Sequence, residues 1–140
     1  MTNQAKCHRN NVCRIALLLS LMFSTGCGNP ERATVSGTLL RKDGTPLAGA
    51  RVIARSNETG KAGYGQTDGH GRFELGVAEE SDGIPPGDYY VVIVEDRGDE
   101  HNRRPPTIAA KYRNPSTSGL ALTVKAGENA ELNATLEPPE

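Results

Sequence analysis

The sequence predicts an all-β chain, seven short strands in an antiparallel β-sandwich, set behind a signal peptide. Three observations predict it. Glycine is abundant, with 16 in 140 residues, and helical periodicity is almost absent. From Thr34 onward, short apolar runs alternate with turn residues, the pattern of a sandwich or barrel. Before them lies a stretch of different character, basic first, then apolar, then small, as in secretory signals.

That first stretch, residues 1–26, contains no Asp or Glu. It carries Lys6, Arg9 and Arg14 and then the nine-residue apolar run Ile15 to Phe23. A bilayer-spanning helix needs roughly 20 apolar residues, so the run reads as a cleavable signal. Ser24, Thr25 and Gly26 lead into Cys27, and small residues before a cysteine resemble a bacterial lipobox. That pattern has Leu three places before the cysteine, where this chain has Ser24. The resemblance implies cleavage before Cys27 and a diacylglycerol on its sulfur. The alternative is an unmodified thiol beside an ordinary cleavage site. Cysteine arithmetic favours the lipid: Cys7 and Cys13 fall in the removed segment, so Cys27 is the single remaining thiol, with no disulfide partner and no metal cluster. Two or more acyl chains anchor stably. Residues 27–33 then form the lipidated cysteine and a short tether, whose six residues Gly28 to Ala33 reach only about 20 Å when extended.

The strands follow in order. Thr34 to Arg41 is the first, with Val35, Gly37 and Leu39 on one side. Lys42 to Pro46 is a turn, with Gly44 suited to positive φ. Ala50 to Ser56 is the second, Val52 and Ala54 inward and Arg51 and Arg55 outward. Tyr64 to Thr67 is a short third, and Asp68 to Arg72 is a turn. Phe73 to Val77 is the fourth, with Phe73, Leu75 and Val77 sharing a face. Asp88 to Glu95 is apolar on both faces, which predicts a central strand covered on each side. Ile108 to Tyr112 reads as a short edge piece. Leu120 to Val124 and Ala130 to Leu136 alternate cleanly, and Lys125 to Asn129 between them reads as a hairpin turn around Gly127. The 137–140 tail, with Pro138 and Pro139, cannot extend a sheet.

Three segments carry a family resemblance. They are Val35, Gly37, Pro46, Leu47, Gly49, Ala50 and Val52; then Thr67, Asp68, Gly71 and Phe73; then Pro86, Gly87, Tyr89 and Val91. Together they resemble the carboxypeptidase regulatory-like domain, related to transthyretin-like and Cna-B-type sandwiches. The resemblance covers most of 34–136 and implies a seven-stranded prealbumin/Ig-like sandwich with no catalytic residue. Locally, the same residues are turn-formers. Asp68 can accept backbone donors, and Gly69 and Gly71 can take positive φ.

Sites of chemistry are few. There is no HExxH, GxSxG or phosphate loop. His70 sits in a polar turn. Transthyretin-like hydrolases end in Tyr-Arg-Gly-Ser, which Tyr112-Arg113-Asn114-Pro115 only echoes. A Cna-B-type Lys–Asn crosslink needs its groups buried together, yet alternation turns Asn133 outward and Lys42 lies in a turn. Residues 96–106 are dense in charge and hold Arg97-Gly98-Asp99, an adhesion tripeptide in other contexts, and Asp99, Glu100 and His101, which present cation ligands. Residues 79–82 are a second acidic loop, and both read as solvated loops, with calcium the metal to test. The sequons at Asn57 and Asn133 matter only in a eukaryotic secretory pathway.

Without Lys6, Arg9 and Arg14 the chain keeps 13 basic and 17 acidic side chains, with no basic stripe, which argues against nucleic acid. The expectation is a non-catalytic, envelope-anchored lipoprotein module with a structural or protein-interaction role. It would be exported and lipid-anchored at Cys27, with no cofactor or metal. Gly28, in place of an inner-membrane-retaining Asp, leans toward the outer membrane. The partners expected are the membrane and an envelope protein or polysaccharide. The rival reading is a carbohydrate-binding module, which needs an exposed aromatic platform. Tyr64, Phe73, Tyr89, Tyr90 and Tyr112 are the aromatics beyond the signal, and most read as core or strand positions.

Overall fold

A computed structural model describes residues 32–79 and 82–140. Cys27, the signal segment and most of the tether lie outside the described residues. Seven strands form: β1 Val35–Arg41, β2 Arg51–Arg55, β3 Ala62–Gln66, β4 Arg72–Leu75, β5 Gly87–Val94, β6 Ala121–Val124 and β7 Ala130–Leu136. They make two sheets, β4-β1-β7 and β3-β2-β5-β6. The core lies between the sheets. Alternation puts Val35 and Leu39 of β1, Val52 and Ala54 of β2, and Tyr89, Val91 and Ile93 of β5 into it.

The sandwich closes along one side because β3 has glycine at its inward positions. A Cβ at Gly65 would sit 2.2 Å from the Glu74 carbonyl oxygen, and one at Gly63 would sit 2.3 Å from Ile84. With no side chains there, β3 and the end of β4 approach, and Tyr64 and Gly76 exchange backbone hydrogen bonds of 2.8 and 3.0 Å.

Several expectations change. Among the described residues the strand pairs are antiparallel except one: β1 and β7 run parallel, from Val35↔Ala130 to Arg41↔Leu136. Residues Lys125 to Asn129 do turn, with Gly127 at φ 70° and Glu128 N donating to the Lys125 carbonyl at 3.2 Å. The turn is not a hairpin, because β6 and β7 belong to different sheets. Alternation gives each strand an inner face but not its partner, so it cannot separate a hairpin from a crossing between sheets. Ile108 to Tyr112 is not an edge strand. Ala110–Arg113 is a 3-10 turn, and Ile108, Ala109 and Tyr112 are buried together at helical spacing. This turn plugs the end of the core: Ala109 N donates to the Glu137 carbonyl at 2.8 Å, and Glu137 N donates to the Tyr112 hydroxyl at 3.0 Å. Strand β4 stops at Leu75 because Gly76 bridges to Tyr64 and to Gly83, which leaves Val77 exposed.

Strand β5 is central in its sheet, as expected, but among the described residues no second layer of strands covers its other face. There Tyr90 and Val94 are half-buried and Val92 is buried.

Candidate functional site

Two surfaces stand out, and strand direction positions both. Strands β1 and β7 start at one pole of the sandwich, beside the Ala33–Ile84 bridge, and finish at the other. The far pole gathers the ends of β1, β5 and β7, the starts of β2 and β4, the 96–106 loop and the tail. A cleft of about 1120 Å³ opens there, lined among others by Arg51, Val94, Arg103, Ile108, Arg113 and Pro139.

Within the cleft most carboxylates are already engaged. Glu95 accepts from the Thr107 backbone N–H and hydroxyl. Glu137 pairs with Lys111 at 2.7 Å, so the ammonium holds the Glu137 carboxyl below its ordinary range and the carboxylate holds Lys111 above its own. Glu100 and Glu140 also line the cleft, so its charge is mixed.

The second surface is the outer face of the four-stranded sheet. The register sets it out in rows. Tyr64 of β3, Ile53 of β2 and Val92 of β5 stand in one row. Ala62, Arg55, Tyr90 and Ala121 stand in the next, and Gln66, Arg51 and Val94 on the other side, at the lip of the cleft. Tyr64 is 45% exposed, held outward by alternation between the inward Gly63 and Gly65. Tyr90 is half-buried on the same face. Sequence reasoning read most of the tyrosines as core or strand positions. Tyr89 and Tyr112 are in the core, Tyr89 with its hydroxyl donating to the Pro85 carbonyl at 2.7 Å and its pKa raised by burial. The Gly-Tyr-Gly alternation was the signal that Tyr64 is not. The arginines that line the cleft had no such signal, because Arg51, Arg97, Arg103 and Arg113 come to one pole only through the fold.

The other singled-out residues serve local structure. Asp68 Oδ1 accepts from His70 N at 2.8 Å and Arg72 N at 2.9 Å, and these donors hold the Asp68 carboxyl low. His70 is exposed in that turn. In the 96–106 loop, Arg97 Nε donates to the Arg104 carbonyl at 2.8 Å, and Asp99 Oδ1 accepts from His101 N and Asn102 N. Both charged ends of Arg97-Gly98-Asp99 are thus turned to tying the loop together. Among the described residues no group of three or more His, Cys, Asp or Glu is set to hold a metal. Asp82 pairs with Arg32 at 3.7 Å, and Glu80 and Ser81 lie outside the described residues. Asn133 is exposed, its Oδ1 accepting from Thr38 N and its Nδ2 donating to Glu131.

Residues 34–137 match the carboxypeptidase regulatory-like domain. The chain belongs to that family. The matched span runs from the residue before β1 to the residue after β7, so the sandwich and the family domain coincide. The family's domain is a non-catalytic one. No curated protein matches the chain. Among solved structures, the crystal structure of a 9R-lipoxygenase from Cyanothece PCC8801 is similar at 16% identity and a TM-score of 0.37. The likeness covers 76% of this chain and 16% of the lipoxygenase chain.

Proposed function

We propose that the chain is an exported, lipid-anchored and non-catalytic module of a bacterial cell envelope, tethered at Cys27 and contacting another envelope component through its sandwich. The observation that carries this reading is the polarity of the fold. Ala33, where the tether ends, lies at one pole, and the cleft lies at the other. A lipid on Cys27 would keep the first pole near the bilayer, because only five residues separate it from Ala33. The far pole would stand about 20 Å further out, the rise of a seven-residue strand. The side chains at the far pole support binding rather than catalysis, since most of its carboxylates brace the loop and tail. Gly28 supports the outer membrane over the inner.

The contact is structural or with a protein in the simplest form of this reading. A second form, glycan binding, is favoured by Tyr64 and Tyr90 on one sheet face. The anchor is tested by fatty-acid labelling of the full chain in a bacterial host, beside Cys27→Ser. The expected result is label in the wild type and none in the variant. An unlabelled wild type would remove the anchor and leave a secreted module.

A further inference from the structure

The outer face of the four-stranded sheet holds charge that the fold does not use. Arg51 and Arg55 flank Ile53 on β2, four residues apart and so about 13 Å along the strand. Neither guanidinium has a hydrogen bond or ion pair with any described residue. The carboxylate on the same face of β5, Asp88, already accepts from the Thr123 hydroxyl at 2.7 Å. The face therefore offers two free cations on a chain whose formal net charge is −1. A guanidinium matches a carboxylate with two parallel hydrogen bonds, so these positions suit carboxylates presented at intervals.

The same face carries the two outward tyrosines. Tyr64 and Tyr90 are two strand spacings apart and one row out of step, about 12 Å in all. A chain of sugar rings spans that distance and a monosaccharide does not. Between the tyrosines the surface stays low, since Val92 is only 9% exposed. Tyrosine rings give the C–H faces of sugars an apolar platform and keep a hydroxyl in water.

We propose that this face binds an acidic polysaccharide of the polyuronate class, its rings on Tyr64 and Tyr90 and its carboxylates on Arg51 and Arg55. The inference rests on the binding-module reading and gives its glycan form a chemical class. An acidic protein fits the face less well. A stable protein interface covers about 800 Å² per partner around well-packed apolar anchors. On this face Tyr64 is the one strongly exposed apolar side chain, and the aliphatic residues beside it are largely covered.

The test uses the full chain in detergent, with polygalacturonate as the probe and its fully methyl-esterified form as the uncharged control. Polygalacturonate should bind and the ester should bind at least about tenfold more weakly, the scale of a lost charge-assisted hydrogen bond. Tyr64→Ala, Arg51→Gln and Arg55→Gln should each weaken binding by about tenfold with unchanged melting profiles. Lys125→Gln, at the opposite pole, should leave it unchanged. No binding to polygalacturonate, equal binding of the ester, or unaltered binding in the three variants overturns the proposal. Capture of an acidic protein that polygalacturonate cannot displace overturns it as well. Fatty-acid labelling separates the two readings. Label without glycan binding keeps the anchored module and removes this ligand, whereas glycan binding without label does the reverse.

Discussion

Asp68 shows how one side chain writes a turn. Its Oδ1 accepts two backbone donors, from His70 and Arg72, and Gly71 beside it takes φ 76°. The donors favour the charged carboxylate and lower its pKa. The sign follows from that direction. A carboxyl held lower in the folded state stabilises fully above its unfolded pKa, near 4, and the contribution is lost as pH falls through the lower folded value. Asp68→Asn keeps an acceptor oxygen but removes the titration. Urea unfolding should therefore show a smaller loss of midpoint between pH 5 and pH 2.5 in the variant than in the wild type. Equal losses would mean that Asp68 does not contribute to the acid limb. The buried Thr67 works similarly without charge, its hydroxyl accepting from Ala50 N at 2.8 Å where β2 begins.

At the scale of elements, glycines decide how closely strands approach. Gly65 and Gly69 lie four residues apart and are chemically identical, but a Cβ at Gly65 meets the Glu74 carbonyl and one at Gly69 meets nothing within 4 Å. Gly65→Ala should lower stability by about 1–3 kcal/mol, the usual cost of overpacking. Gly69→Ala should stay within about 0.5 kcal/mol of the wild type. Denaturant midpoints check both, and similar values would mean that β3 does not close against β4. The strands themselves were legible in the sequence because burial is written in alternation, as in Val35, Gly37 and Leu39. Partnership was not. The parallel β1–β7 pair depends on which sheet β7 joins, and no local pattern encodes that choice. The 108–113 segment misled because Ile108 to Tyr112 is short and apolar, and a short apolar run reads equally as strand or helix turn. Of the candidate surfaces, the outward Arg51 and Arg55 were legible from β2, whereas the row joining Tyr64, Ile53 and Val92 exists only once three strands are in register.

At the scale of the whole molecule, the chain is a sandwich with two unlike poles. The start of β1 marks one, and the charged cleft and the 96–106 loop mark the other. The proposed anchor at Cys27 would turn this polarity into an orientation at the bilayer. The direct measurement is headgroup-quencher fluorescence on the lipid-anchored chain in phospholipid vesicles, with a dye at Lys125→Cys in one preparation and at Arg103→Cys in another. The account predicts strong quenching at position 125 and little at position 103. Equal quenching at both, or stronger quenching at position 103, would contradict a domain that stands on its N-terminal pole and presents its cleft outward.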